Sequence, residues 1–146
     1  MATIFSKIIA GEIPGNSAWS DDKCVAFASI NPISDGHLLV VPRDEISKFT
    51  DADDELLAHL MSVAAKIGRA QEKAFEAPRA ALIIAGFEVP HLHVHVIPAW
   101  GEKELTFANV RQDVDPEELR AATEKVRAQL IADGHGAHVP ESVVRA

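Results

Sequence analysis

The sequence predicts an α+β fold with a largely antiparallel sheet, and three observations lead there. Apolar runs at 24–30 and 37–41 flank a loop rich in turn residues, Asn31-Pro32 and Ser34-Asp35-Gly36, which is the pattern of a hairpin-like pair of strands. A long stretch over 53–76 carries helical spacing. Two more strand-like runs and a second helix follow, so the strands are grouped, with helices interposed.

Taken in order, residues 3–10 fit a short helix, and Gly11-Glu12-Ile13-Pro14-Gly15 breaks it. Residues 18–20 open a strand ahead of 24–30 and 37–41. In the helix over 53–76, Leu56, Leu57, Leu60, Met61, Ala64 and Ile67 share one face. Asp51, Asp53, Asp54 and Glu55 crowd its start, where the helix dipole favours anions, and Pro78 lies just past its end. His59 falls off the apolar stripe and reads as a solvated surface histidine. Strands are expected over 80–86 and 91–97. Asp115-Pro116-Glu117-Glu118 is a helix start, with an N-cap aspartate, proline at the first position and acids in the first turn. That helix runs to about residues 133–134, with Leu119, Ala122, Val126 and Leu130 on one face. Residues 1–133 read as one domain. Residues 134–146 have no clear period and read as a tail, mobile or docked on a partner subunit.

Composition narrows the functional classes. The 146 residues are 47% apolar and 25% charged, ordinary values for one globular domain with a sizeable core. The net charge of −8, from 22 acidic against 14 basic residues, argues against long nucleic acids as partners, because these need basic tracts. A single phosphate remains possible, held by backbone N–H groups and histidines. No stretch approaches transmembrane length, and Glu12 and Pro14 interrupt the N-terminal apolar run too early for a signal peptide. No membrane association and a cytoplasmic location are therefore expected. Cys24 is the only cysteine, which excludes an intramolecular disulfide and a thiolate cluster, and it reads as a small buried core residue.

The chemistry is concentrated in His91-Leu92-His93-Val94-His95-Val96-Ile97-Pro98. Alternation on a strand puts the three imidazoles on one face and the aliphatic residues on the other. One pair two residues apart, at about 6.6–6.8 Å, can converge on a metal, but the outer pair, at about 13 Å, makes three ligands to one ion hard. The other reading is catalytic. A neutral imidazole attacks phosphorus, its neighbours carry protons near neutral pH, and close spacing disfavours charging all three together.

At these residues the chain resembles the histidine-triad (HIT) nucleotide hydrolases and transferases, whose pattern His-φ-His-φ-His-φ-φ (φ apolar) matches 91–97 at every position. Gly36-His37-Leu38-Leu39-Val40-Val41-Pro42 is similar to the family's upstream strand. Ile4-Phe5-Ser6-Lys7-Ile8-Ile9-Ala10-Gly11-Glu12-Ile13-Pro14 is similar to the start of its bacterial Hint-like branch, so the likeness spans roughly residues 4–100. It implies a HIT-like fold, with one long central helix and a C-terminal helix, and a homodimer whose sheets join across the subunits. It implies attack by His93 on the α-phosphorus of a purine nucleotide or nucleotide conjugate, through a nucleotidyl-histidine intermediate. His95 would contact the phosphate and aid the leaving group, while His91 and His37 would form a relay behind the nucleophile. Phe27, Ser29, Ile30 and Asn31 would line the nucleoside pocket. No metal and no cofactor are implied.

The departures from the family pattern are specific. Thr3, Ser6 and Glu45 stand where zinc-bearing relatives place Cys, Cys and His beside the first triad histidine, which argues against zinc. Ser29 stands where an acidic residue usually holds the ribose hydroxyls. Ile84-Ala85-Gly86-Phe87-Glu88-Val89-Pro90 replaces a longer phosphate-binding loop, with Phe87 at its glutamine and Glu88 at its hydroxyl residue. Glu88 there would repel a phosphate, or act on a cationic leaving group, or simply face solvent. A nucleotide-binding regulatory protein with little or no catalysis is the alternative function.

Overall fold

The computed structural model describes residues 2–143. Three helices and five strands carry the fold: α1 (Ile4–Ile9), β1 (Ser17–Ser20), β2 (Cys24–Ala28), β3 (Leu38–Pro42), α2 (Asp54–Phe75), β4 (Arg79–Ile83), β5 (Val94–Ala99) and α3 (Pro116–Leu130). The strands form one sheet in the order β1-β2-β3-β5-β4, antiparallel at every pairing. The expected α+β class with an antiparallel sheet is what the chain adopts.

The helix ends follow from their capping residues. Thr3, Asp53 and Asp115 each accept a backbone N–H with their side chain at the start of α1, α2 and α3. Glu76 ends α2 in the left-handed region, at φ 53°, and Pro78 follows.

Alternation along the strands divides the core into two faces. Leu38, Val40, Val94 and Val96 pack with Leu60, Ala64 and Ile67 of α2 and with Val126 and Leu130 of α3. Leu39 and Val41 face the other way, with Val25, Phe27 and Phe5 of α1. Gln71 stitches α2 to the sheet by donating to the carbonyls of Gly36 and Val96, both at 2.8 Å. Gly36, at φ +86°, lies so close to Phe75 that a Cβ there would stand 2.3 Å from its ring. Only glycine fits, and this turn delivers His37 to the start of β3.

Three expectations need correction. The histidine strand begins at Val94, not His91, because the Leu92 N–H bonds the carbonyl of Ile46 in a loop rather than a strand partner. The strand expected over 80–86 ends at Ile83, before Gly86 at φ +88°. His59 is no solvated surface histidine: its side chain is 29% exposed and its Nε2 lies 2.8 Å from Asp21 Oδ2.

The stretch after α3 packs on its own chain. His138 stacks on Trp19 at 4.8 Å between ring centroids. Arg127, buried, donates to the carbonyls of Ser17 and Pro140, and the Ser17 N–H bonds the Val143 carbonyl. The last residues of the expected tail, 144–146, lie outside the described residues. Among the described residues no helix is long and apolar enough to cross a membrane.

Candidate active site

His37, His91, His93 and His95 are all buried, at 2%, 0%, 7% and 9% exposure, on the α1 side of the sheet. His95 lies opposite Leu39, and His37 sits one residue before the Leu38–Val96 pair, which sets the two rings diagonally across the β3–β5 ladder. Their rings meet directly, with His37 Nε2 2.9 Å from His95 Nδ1. His93 stacks edge-on to His95 at 4.9 Å between centroids, and Phe5 packs edge-on to His93 from the far side at 4.8 Å.

The backbone assigns the protons. Nδ1 of His37 accepts the Ile33 N–H at 3.0 Å, so a neutral His37 carries its hydrogen on Nε2 and donates it to His95 Nδ1. A neutral His95 therefore holds its own hydrogen on Nε2. In His93, Nδ1 lies 2.7 Å from the His91 carbonyl, which can only accept. Its hydrogen is on Nδ1 and its lone pair on Nε2. Among the described residues no group bonds the Nε2 of either His93 or His95. The site thus presents one bare lone pair beside one N–H donor.

Burial keeps these rings neutral. It pushes His37 down to about 3, helped by the nearby His95. It pushes His95 down to about 4, helped by His93. Burial lowers His93 too, against the opposing pull of its bond to the His91 carbonyl and of the Glu88 charge.

His91 and His37 stand differently towards His93, the residue that the resemblance implies as nucleophile. His91 touches His93 through its carbonyl, while its ring turns away. Its Nε2 donates to the Pro42 carbonyl and its Nδ1 accepts the Thr3 hydroxyl, both at 2.8 Å. His37 bonds His95 and not His93.

The residues expected around the nucleoside lie as follows. Phe27 is buried against Phe5, at 5.5 Å between ring centroids. Ser29 is half-buried and its Oγ accepts the Asn31 N–H. Ile30 and Asn31 are exposed, Ile30 at 70%. Glu88 is exposed and near enough to His93 for its charge to act on it. Phe87 is 97% exposed.

Sequence reasoning missed two aromatic neighbours. Phe5 carried the family likeness but was given no place at the triad. Phe107 covers His95 at 5.0 Å between centroids and is 45% exposed. It lies in an aperiodic stretch with no signal that could have nominated it.

Thr3, Ser6, Glu45 and His91 come together at the start of α1. The Ser6 hydroxyl and the Thr3 N–H both donate to Glu45 Oε1, at 2.7 and 2.9 Å. Two neutral hydroxyls, one carboxylate and an imidazole nitrogen already bonded to Thr3 are a poor match for the thiolate and imidazole donors of structural zinc. The donors at these four positions hold the N-terminus as a hydrogen-bonded clamp instead.

Comparison with known proteins agrees with this architecture. The HIT domain family model matches residues 10–101. The chain is 31% identical to the protein hit of Bacillus subtilis over 135 residues, covering 87% of this chain and 93% of that one. Among solved structures, a zinc-bound histidine triad family protein from Mycobacterium smegmatis has a TM-score of 0.79 at 26% identity, covering 93% of this chain and 98% of that one. A hypothetical histidine triad nucleotide-binding protein from Sulfolobus tokodaii has a TM-score of 0.76 at 27% identity, covering 88% of this chain and 91% of that one. On the fold, the buried triad and these matches, the chain belongs to the HIT-domain family.

Proposed function

We propose that the chain binds a purine nucleotide conjugate and cleaves it at the α-phosphorus through a covalent nucleotidyl-His93 intermediate. The observation that carries this reading is the pair of opposite tautomers, with a bare Nε2 on His93 beside an Nε2–H on His95. The His93 lone pair forms the new N–P bond as the bond from phosphorus to the leaving group breaks. The His95 Nε2–H hydrogen-bonds the leaving-group atom, which takes its proton from solvent as it departs. Water then attacks phosphorus and returns a proton to solvent. The N–P bond then breaks and its electron pair returns to His93, freeing the nucleoside monophosphate. The His91 carbonyl supports the charge that His93 carries while it is substituted.

Phe27, Ser29, Ile30 and Asn31 are proposed to line the nucleoside pocket, with Glu88 at its phosphate end. Incubation with an adenosine 5′-phosphoramidate should release adenosine monophosphate. His93→Ala should abolish that release, and equal turnover by the two proteins would end this reading.

Glu88 favours a second reading. A carboxylate whose charge reaches His93 opposes an incoming phosphate, which suits a nucleotide-binding regulatory protein with little turnover. Calorimetry would then register nucleotide binding without product.

A homodimer joined along β4 is proposed as the working unit. β4 is an edge strand, and Leu82 on it and Met61 on α2 are 43% and 51% exposed. Sedimentation of the wild type and of Leu82→Lys tests this, and a monomeric wild type would contradict it.

A further inference from the structure

Away from the triad, three side chains of different chemistry converge between the β1–β2 hairpin and α2. Asp21 stands on the hairpin turn, Cys24 opens β2, and His59 reaches in from α2. One oxygen of Asp21, one nitrogen of His59 and the sulfur of Cys24 all lie within 4.8 Å of one another. Asp21 Oδ2 is 2.8 Å from His59 Nε2 and 3.6 Å from Cys24 Sγ.

We propose that Asp21, Cys24 and His59 form a binding site for a zinc-type divalent cation, separate from the histidine triad.

Four observations carry this. Oδ1 of Asp21 takes the N–H groups of Lys23 and Cys24, both at 2.8 Å, which fixes the carboxylate and aims Oδ2 at the sulfur and the imidazole. The Asp-x-x-Cys spacing on a tight turn is the spacing by which metal knuckles supply two ligands, and α2 supplies the third. Ligand bonds of about 2.0–2.3 Å in a tetrahedron put the donor atoms about 3.3–3.7 Å apart. The Asp21–Cys24 separation already meets this, while His59 Nε2 stands about 0.5 Å inside that range from Asp21 Oδ2 and within 4.8 Å of the sulfur. The Trp19 indole N–H, 2.7 Å from Oδ2, stays in place as an outer donor that orients the carboxylate.

A mixed sulfur, nitrogen and oxygen donor set selects zinc or cobalt over magnesium or calcium. Ligation takes the thiol proton of Cys24 into solvent and moves the His59 hydrogen from Nε2 to Nδ1. The fourth position is left to water on the side where the His59 ring meets solvent. Beside it, a surface cleft carries Asp22, Asp44, Asp53 and Glu55 against Lys23 and Arg43, a net negative approach for a cation.

Cobalt(II) titration of the untagged, metal-free full chain tests the site. Cys24 is the only cysteine, so a sulfur-to-cobalt charge-transfer band in the near ultraviolet can arise from no other residue. The expected result is that band, saturating at one equivalent and displaced by zinc. It should persist in His93→Ala and be lost in His59→Ala, with circular dichroism showing that both variants fold. Absence of the band in the wild type, a band unchanged in His59→Ala, or cobalt binding that His93→Ala removes would each overturn the proposal.

Discussion

The backbone carbonyl of His91 accepts the Nδ1 hydrogen of His93 at 2.7 Å, so the main chain, not a side chain, fixes the tautomer of the proposed nucleophile. His91→Gln keeps that carbonyl while losing the ring's bonds to Pro42 and Thr3. Its kcat should fall within about tenfold, against the ~10²–10⁴-fold expected for removing a group that moves a proton. Stability should fall by about 1–3 kcal/mol, because the buried Pro42 carbonyl and the half-buried Thr3 hydroxyl lose their bonds. Steady-state kinetics and urea unfolding check both. A loss of kcat equal to that of His95→Ala would assign the relay to the His91 ring instead.

His37 controls His95 from behind. His37→Leu removes the donor to His95 Nδ1, so the His95 hydrogen can shift to Nδ1, where it no longer faces the leaving group. The expected result is a drop in kcat of about 10²-fold with KM little changed. His37→Gln, which keeps an N–H donor, should recover part of it. A loss confined to KM would contradict this role.

Acid should erode stability early. His37 and His95 sit at about 3 and about 4 in the folded chain, below the 6.5 of a free imidazole. As pH falls through 6.5 the unfolded chain takes up protons that the folded chain refuses. Stability is therefore full above 6.5 and declines as pH falls towards 4. For His95 alone the loss is on the order of 3 kcal/mol. Urea midpoints at pH 7, 5 and 4 measure it, and His95→Asn should flatten the decline.

On the proposed function, Glu88, whose charge reaches His93, opposes an incoming phosphate. Glu88→Gln should lower KM for an anionic nucleotide conjugate by about 3–10-fold, the effect of one nearby screened charge. It should also lower the pKa governing kcat/KM, since Glu88 pulls His93 upward. An increase in KM would mean that Glu88 binds the leaving group.

Much of the fold was legible because its signals are local. The caps at Asp53 and Asp115, the periodic face of α2 and the apolar run Leu38–Val41 each announce an element within a few residues. The start of β5 was not, because it is decided by the bond from Leu92 to Ile46, a partner far away in sequence. The same applies to the site. The triad and His37 stand out as motifs, but which ring atom bonds which partner depends on Ile33, Pro42 and Thr3. His59 was misread because its burial comes from Asp21 on another element, and helical periodicity carries no information about that.

The most direct test of the central claim is to quench the wild-type protein during turnover of an adenosine 5′-phosphoramidate and map the protein by mass spectrometry. The expected result is one adenylate on the peptide containing His91–His95, localised to His93 and absent from His93→Ala. An adenylate on His95 or His91, or steady turnover with no adduct on any histidine, would contradict His93 Nε2 as the nucleophile.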